Sequence, residues 1–170
     1  MTFEIHPANP TTEDRLIMGN AIQMLHEALG REIHAIKATE HPAGQLLMVM
    51  RDGSVSTIPD LSRTAEDEIE FLAQMRRVVA AVKPAFVAYA NLCEIETGAT
   101  TGEAIQVVAE SARRAVAIGS APVRRHGVHP PVVEALQTEF LSHGDILTTE
   151  VGAFYAALAD DAECPKGTLH

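Results

Sequence analysis

The sequence predicts an α+β fold: a mostly antiparallel five- or six-stranded sheet, with helices packed mainly on one face and a C-terminal helical pair. Three patterns carry this prediction, namely amphipathic helical spacing, an Asp52-Gly53 turn between apolar runs, and one nearly continuous apolar strand. The chain has 170 residues, of which 46% are hydrophobic, so it can bury a core without disulfides or metals. We expect a single α+β domain over residues 1–160 and a flexible tail over residues 161–170.

The first helix is predicted over residues 12–29. Thr11 or Thr12 can cap its N-terminus, where acidic residues suit the helix dipole, and Gly30 can end it. Its apolar residues keep the three-and-four spacing of one buried face: Met18, Ile22, Leu25 and Leu29.

A strand over residues 32–39 is expected next, followed by a hairpin. The hairpin pairs residues 46–51 with residues 55–58 around Asp52-Gly53, because this dipeptide readily adopts the positive backbone angles of a tight turn.

The second helix is predicted over residues 64–82. Thr64 and Asp67 have the spacing of a capping box, and Lys83-Pro84 ends the helix because a residue before proline is pushed out of helical conformation. The helix carries a continuous apolar stripe: Ile69, Leu72, Met75, Val79 and Val82. A strand over residues 85–95 follows, and its near-continuous apolarity indicates burial on both faces.

The segment from Glu103 to Ile118 fits two interpretations. With a helical period, its apolar residues and alanines share one face, and Thr100 with Glu103 can form a capping box. With a period of two, side chains alternate from Ile105 onward, and Ala112-Arg113-Arg114 becomes a turn into a strand over residues 115–123. Periodicity alone leaves both interpretations open.

Several short motifs follow one another in a recognisable order: Arg51-Asp52-Gly53, Pro59-Asp60-Leu61-Ser62-Arg63, Ala85-Phe86-Val87-Ala88-Tyr89 and Ala121-Pro122-Val123-Arg124-Arg125. This order resembles a family of small uncharacterised bacterial and phage proteins, and the resemblance covers about residues 51–126. It implies that the stretch after Gly102 is a strand-turn-strand hairpin, which is the interpretation we adopt. Asn91-Leu92-Cys93 departs from the Glu-Ala-aromatic sequence of that family, and the resemblance implies no activity.

Beyond Gly127 the sequence predicts two helices. Pro130-Pro131 suits the start of the first, and Gly144 suits its end. The last helix is predicted over residues 149–159. The apolar residues of this pair are Val133, Leu136, Phe140 and Leu141 in the first, and Val151, Phe154, Tyr155 and Leu158 in the second.

Composition excludes several classes of protein. The net charge of −10 argues against general nucleic-acid binding, which requires a positive surface. The longest uncharged stretch, Pro84–Cys93, is too short to span a membrane, and the N-terminus has no basic region followed by an apolar run. Two cysteines, Cys93 and Cys164, make no disulfide framework, so we expect a reducing compartment, that is, a cytoplasmic location. A homodimer, or another homo-oligomer, is compatible with the aliphatic surface.

The most suggestive functional feature is a segment rich in arginine and histidine. No Asp or Glu lies between Ser111 and Val133, and the segment carries Arg113, Arg114, Arg124 and Arg125. Guanidinium groups bind carboxylate or phosphate in a bidentate manner, so these arginines are candidates for binding an anion or a protein partner. A solvated sheet edge is the alternative, and in the hairpin interpretation the two pairs lie at opposite ends and do not converge.

A second candidate is a metal site. His126, His129, Glu139 and His143 supply ligand types that zinc or another divalent ion accepts, provided that the loop folds back over the predicted helix. No His-Glu-x-x-His element supports this interpretation, and surface histidines explain the same spacing.

Two further polar positions have a functional and a structural interpretation. Asp60 with Glu94-Ile95-Glu96 is similar to the acidic pair of a metal-dependent nuclease, but the expected lysine is missing, and Asp60 is more simply a turn residue. Asn91 lies on the expected central strand and therefore belongs to a hydrogen-bonded core network or lines a pocket.

The sequence thus leaves two hypotheses of different class. The first is a non-catalytic binding or accessory protein without a cofactor, which recognises a protein partner or a small anionic ligand through the Arg/His segment. The second is a metal-dependent hydrolase that uses the His/Glu set. The first is favoured because catalysis requires a converging acid, base and electrophile, which the sequence does not show.

Overall fold

A seven-stranded antiparallel sheet organises the protein. The computed structural model describes residues 2–36, 41–98 and 100–155. Its elements, in chain order, are β1 (Phe3–Ile5), α1 (Thr12–Ala35), β2 (Gly44–Val49), β3 (Val55–Asp60), α2 (Ala65–Val82), β4 (Phe86–Thr97), β5 (Thr100–Ser111), β6 (Val116–His126), β7 (His129–Val133), β8 (Gln137–Phe140) and β9 (Leu147–Thr149). The strand order is β3-β2-β4-β5-β6-β7, with β8 also paired to β6, and β1 forms a separate pair with β9. The predicted fold class and antiparallel sheet are confirmed.

The first helix begins where the sequence predicted. Thr11 and Asp14 form a reciprocal capping box, in which each side chain accepts a hydrogen bond from the other residue's N–H. The helix does not end at Gly30 but continues to Ala35, because Ile33 extends the buried stripe and is only 1% exposed. The predicted strand over residues 32–39 is therefore wrong for residues 32–35, and residues 37–40 lie outside the described residues.

One face of the sheet packs against α1, and we call it the α1 face. Its largest hydrophobic cluster joins α1 to alternate residues of β4, β5 and β6. Ile105, Val107 and Ala109 lie on this face and are almost fully buried. This strict alternation is possible only in an extended strand, so the β5–β6 hairpin and its Ala112-Arg113-Arg114 turn are confirmed, and the helical interpretation of residues 103–118 is wrong.

The opposite face is covered by several elements. α2 packs through Leu72, Met75 and Val79 against β2 and β4, while the β1–β9 pair covers Val108 and Val116. The two helices are thus divided between the two faces, and the predicted packing of the helices mainly on one face is wrong, because each helix buries its own apolar stripe against a different side of β4. Ile69 and Val82, at the ends of the predicted α2 stripe, are 55% and 42% exposed and lie outside the cluster that joins α2 to the sheet.

The predicted C-terminal helical pair is wrong. Residues 129–133 and 137–140 form β7 and β8, which pair with the two halves of β6. Residues 147–149 form β9, residues 150–155 are irregular, and residues 156–159 lie outside the described residues. The apolar residues were identified correctly, since Val133, Leu136 and Phe140 pack against the hydrophobic cluster between α1 and the sheet, which we call the α1 cluster. Their conformation was determined by pairing with the free edge of β6. Within the described residues, no helix is long and apolar enough to span a bilayer.

Candidate functional site

The end of the β6–β7 hairpin projects into solvent. We call residues 124–130 the β6–β7 tip, and all seven are exposed. Gly127 has a φ of +59°, a conformation that glycine adopts without strain, and it turns the chain so that His126 and His129 lie directly opposite each other. Val128 is 99% exposed, and Val132 on the adjoining strand is 49% exposed. The tip therefore presents apolar, cationic and imidazole groups on a narrow support.

Arg124 and Arg125 leave β6 in different directions. Arg124 donates through Nε to Glu134, and Arg125 binds Glu103 in a bidentate manner, with Nη2 3.2 Å from Oε2. The hydrogen bond to Glu103 raises the pKa of Arg125 above its usual value. The guanidinium groups are positioned by carboxylates at the base of the tip, and the Arg124 side chain remains 64% exposed.

Arg113 and Arg114 lie at the other end of β6, as the hairpin interpretation implied. Arg113 donates through Nη2 to Asp14 (2.8 Å) and lies 3.7 Å from Glu13, which ties the β5–β6 turn to the start of α1. Burial alone would raise the pKa of Asp14, but hydrogen bonds from Thr11 and Arg113 outweigh it and hold that pKa below its ordinary value. Arg114 adopts a φ of +68° in the turn, and its carbonyl accepts the N–H of Ala8. This pair contributes to folding at a distance from the tip.

The four proposed metal ligands do not meet. His126 and His129 are cross-strand neighbours, whereas Glu139 lies opposite Ile118 near the start of β6. His143 lies in the loop after β8, where its N–H donates to Asn9. The predicted helix that would have placed Glu139 and His143 on one face is absent from the described residues 129–149. Within the described part of the chain, no group of three or more His, Cys, Asp or Glu side chains is placed to hold a metal ion.

A polar row crosses the face opposite α1, and sequence reasoning identified only one member of it. Asn91 on β4, Gln106 on β5, Ser120 on β6 and Gln137 on β8 are directly opposite one another in register. The first three are half-buried. Individual polar residues were visible in the sequence, but their alignment depends on the register of four strands and could not be inferred from any one of them.

Acidic side chains adjoin the polar row at Asn91. Nδ2 of Asn91 is 3.5 Å from Oε1 of Glu68, and burial, together with the negative charge of Asp60, raises the pKa of Glu68. Burial and Glu68 also raise the pKa of the Cys93 thiol to about 11, which makes it a poor nucleophile at neutral pH.

The carboxyl group of Asp60 has hydrogen-bond partners within the fold. Asp60 is 4% exposed and accepts hydrogen bonds from the Tyr89 hydroxyl (2.7 Å) and from the N–H of Ser62 (2.9 Å). The turn interpretation of Asp60 is thus supported by these contacts. Glu94 belongs to the other face of β4, since successive strand residues alternate, so the nuclease-like acidic pair does not form.

Comparison with known proteins identified no relative: no family model matches the chain, and no curated protein or solved structure is detectably similar. The resemblance to small bacterial and phage proteins therefore remains a prediction. Function must be inferred from the chain's own residues.

Proposed function

We propose that this protein is a non-catalytic binding or accessory protein that recognises an acidic segment of a partner protein through the β6–β7 tip. The observation that carries the proposal is the exposure of the tip, where Val128 is 99% exposed and the side chains of Arg124 and Arg125 are 64% and 29% exposed. An isolated valine at that position contributes nothing to the core. Exposed apolar residues beside arginines are typical of protein interfaces, whose binding energy is concentrated in a few such side chains.

The charge pattern supports an acidic partner. Residues 112–133 contain no carboxylate, and within the described part of the chain Arg124 and Arg125 form ion pairs with Glu134 and Glu103 from outside the segment. Exposed ion pairs contribute only about 0–1 kcal/mol in water, because hydration and side-chain entropy offset the attraction. A carboxylate of the partner can therefore replace Glu134 at the exposed guanidinium of Arg124, and Glu134 acts as an internal competitor.

A peptide titration tests this proposal. A hexaglutamate peptide is titrated into ¹⁵N-labelled protein at low salt, and amide shifts are followed at residues 124–130. Arg124→Ala should weaken binding about two- to fivefold, and Glu134→Gln should strengthen it by a similar factor because the competing carboxylate is removed. Glu139→Gln is the matched control, since it makes the same charge change at an exposed position on β8.

The outcomes separate local recognition from general electrostatics. The proposal fails if Glu139→Gln strengthens binding as much as Glu134→Gln, or if the shifted amides lie outside the tip. Inorganic phosphate serves as a second probe: equal affinity for phosphate would assign the tip to small anions rather than to an acidic protein segment.

We also propose that two copies of the chain pair through β3. Within the described residues β3 is hydrogen-bonded only to β2. The N–H of Met50 donates to the carbonyl of Ser54, so these two residues form a hydrogen-bonded pair. Because hydrogen-bonded and non-hydrogen-bonded pairs alternate along an antiparallel ladder, the backbone N–H and C=O groups of Val55 and Thr57 point away from β2. Residues 54–58 carry neither a charge nor a proline that would discourage pairing, and Pro59, which has no N–H, limits the pairing edge to these residues. Light scattering should give a dimer for the natural chain and for Thr57→Ser and a monomer for Thr57→Pro, and a monomeric natural chain would contradict the proposal.

A further inference from the structure

Residues 151–155 cross the face opposite α1, and we call them the C-terminal strap. Phe154 is fully buried and belongs to the cluster that joins α2 to β2 and β4. Gly152 and Ala153 have φ values of +98° and +58°, a left-handed conformation that turns the strap sharply onto the sheet. A Cβ on Gly152 would lie 3.2 Å from Cγ1 of Val108, so the strap is in close contact with β5.

The strap is bound by a glutamate inside the sheet. Glu110 on β5 is 2% exposed, and its Oε2 accepts the N–H of Phe154 at 3.0 Å. The backbone N–H groups of the flanking residues Ala153 and Tyr155 also favour the charged form of this carboxyl group. The strap is therefore hydrogen-bonded through the backbone of Phe154 to a buried side chain of the sheet.

Arg76 and Tyr155 complete the attachment. Arg76 on α2 donates through Nη2 to the carbonyl of Gly152 (3.0 Å), and its guanidinium carbon lies 4.2 Å from the ring centroid of Phe3. Its Nε is buried and has no hydrogen-bond partner within residues 2–36, 41–98 and 100–155. The Tyr155 hydroxyl donates to the carbonyl of Pro84 at 2.8 Å. The strap is thus held by side chains from β5 and α2 and by the backbone before β4.

We propose that the strap is a pH-sensitive cover, whose docking weakens as Glu110 loses its proton, so that the apolar surface around Val108 becomes more accessible. The balance that decides docking is between the burial of the carboxyl group and the four groups that favour its charge. These are the three strap N–H groups and Arg76.

Burial prevails and raises the pKa of Glu110 from 4.5 to about 7. When the strap leaves, the carboxyl group is hydrated and its pKa returns toward the ordinary value. The docked state therefore binds more protons between these two values, and docking weakens as the pH rises through that window. For this pair of values the docking equilibrium falls about tenfold between pH 6 and pH 8.

No other carboxylate among the described residues determines this balance. The titratable neighbours are Arg76 from α2 and Tyr155 of the strap, whose own pKa is raised by burial and by Glu110, while Arg51 lies near enough to Tyr155 to oppose that shift. Apolar residues occupy the neighbouring positions. Val87 on β4 and Val116 on β6 lie directly opposite Glu110, and Phe3 on β1 packs against Arg76.

Amide hydrogen exchange tests the inference on the full chain. Protection factors of residues 153–155, corrected for intrinsic exchange, should be about tenfold lower at pH 8 than at pH 6. Glu110→Gln should remove this pH dependence, whereas Glu139→Gln should keep it. Tyr155→Phe, which loses the bond to Pro84, should lower protection by the same factor at both pH values.

Two results would overturn the proposal. The first is equal protection of the strap at pH 6 and pH 8 in the natural chain. The second is a parallel loss of protection at Ala88 and Val107, because central strand amides would then report destabilisation of the whole fold rather than release of the strap. Both results come from the natural chain, so the test does not depend on the folding of Glu110→Gln.

Discussion

α1 approaches the sheet closely at Gly119 on β6. A Cβ at this position would lie 2.5 Å from Cγ2 of Ile22 and 3.2 Å from Cδ1 of Leu136. Since carbon atoms pack best at about 3.5–4.0 Å, Gly119→Ala would push α1 from the sheet by about 1 Å unless Ile22 moves. Ile22 is fully buried within the hydrophobic cluster under α1.

We expect Gly119→Ala to destabilise the fold by about 1–3 kcal/mol, as overpacked cores do. For a chain of this length, 2 kcal/mol lowers Tm by about 4–8 °C. Urea unfolding followed by circular dichroism should show a lower midpoint with an unchanged slope. Gly102→Ala is the matched control, because it is also a strand glycine but its Cβ would lie at an ordinary 3.6 Å from Cγ1 of Ile95.

A double-mutant cycle isolates the contact. Ile22→Ala alone should cost about 2–5 kcal/mol, because it leaves a cavity. In the double variant the new methyl group of residue 119 partly fills that cavity, so the combined cost should be at least about 1 kcal/mol below the sum of the two single costs. Strict additivity, or a neutral Gly119→Ala, would refute the close approach of α1 to β6.

Two further predictions concern polar groups of α1. His26→Leu should stabilise the fold by about 1 kcal/mol in urea unfolding, because both ring nitrogens are buried without a hydrogen-bond partner in the described part of the chain; a clear loss of stability would contradict this. Arg113→Ala should lower the free energy of unfolding at pH 7, because it removes the ion pair with Asp14. The difference in free energy of unfolding between this variant and the natural chain should disappear as the pH falls below 3.8 toward the lowered pKa of Asp14, because the ion pair requires an ionised Asp14. A pH-independent difference in denaturation midpoints would contradict the role of the ion pair.

The elements that the sequence predicted well are those with local chemical signals. The capping box of α1, the capping residue Thr64 of α2 and the Asp52-Gly53 turn each act within a few residues. Gly30 was misleading because a glycine inside a helix and one after its end have the same sequence signature. A Cβ on Gly30 would lie 3.9 Å from Val133, a contact on β7 that is more than one hundred residues away in the chain.

The C-terminal third shows why a correct set of apolar residues does not determine conformation. Val133, Leu136 and Phe140 suit a helical stripe, and all three do pack against the α1 cluster. β6 has eleven residues and would have an unpaired edge if this segment were helical. Pairing β7 and β8 with that edge satisfies its backbone groups and keeps the same side chains buried, so a long-range requirement prevailed over local periodicity.

The two regions to which we assign a function by proposal also differ in how far they depend on distant pairing. The Arg/His segment was visible in the sequence because a run without carboxylates is a local feature, although only Arg124 and Arg125 lie in the exposed tip. Glu110 was not recognisable, since a glutamate beside the apolar residues 107–109 suits a solvated edge as well as a buried site. Its environment is created by a strap 44 residues later in the chain. If Glu110 served only stability, an apolar residue would avoid the cost of burying a carboxyl group; a buried, titratable side chain that is hydrogen-bonded to the strap is therefore better explained by an attachment that can be released.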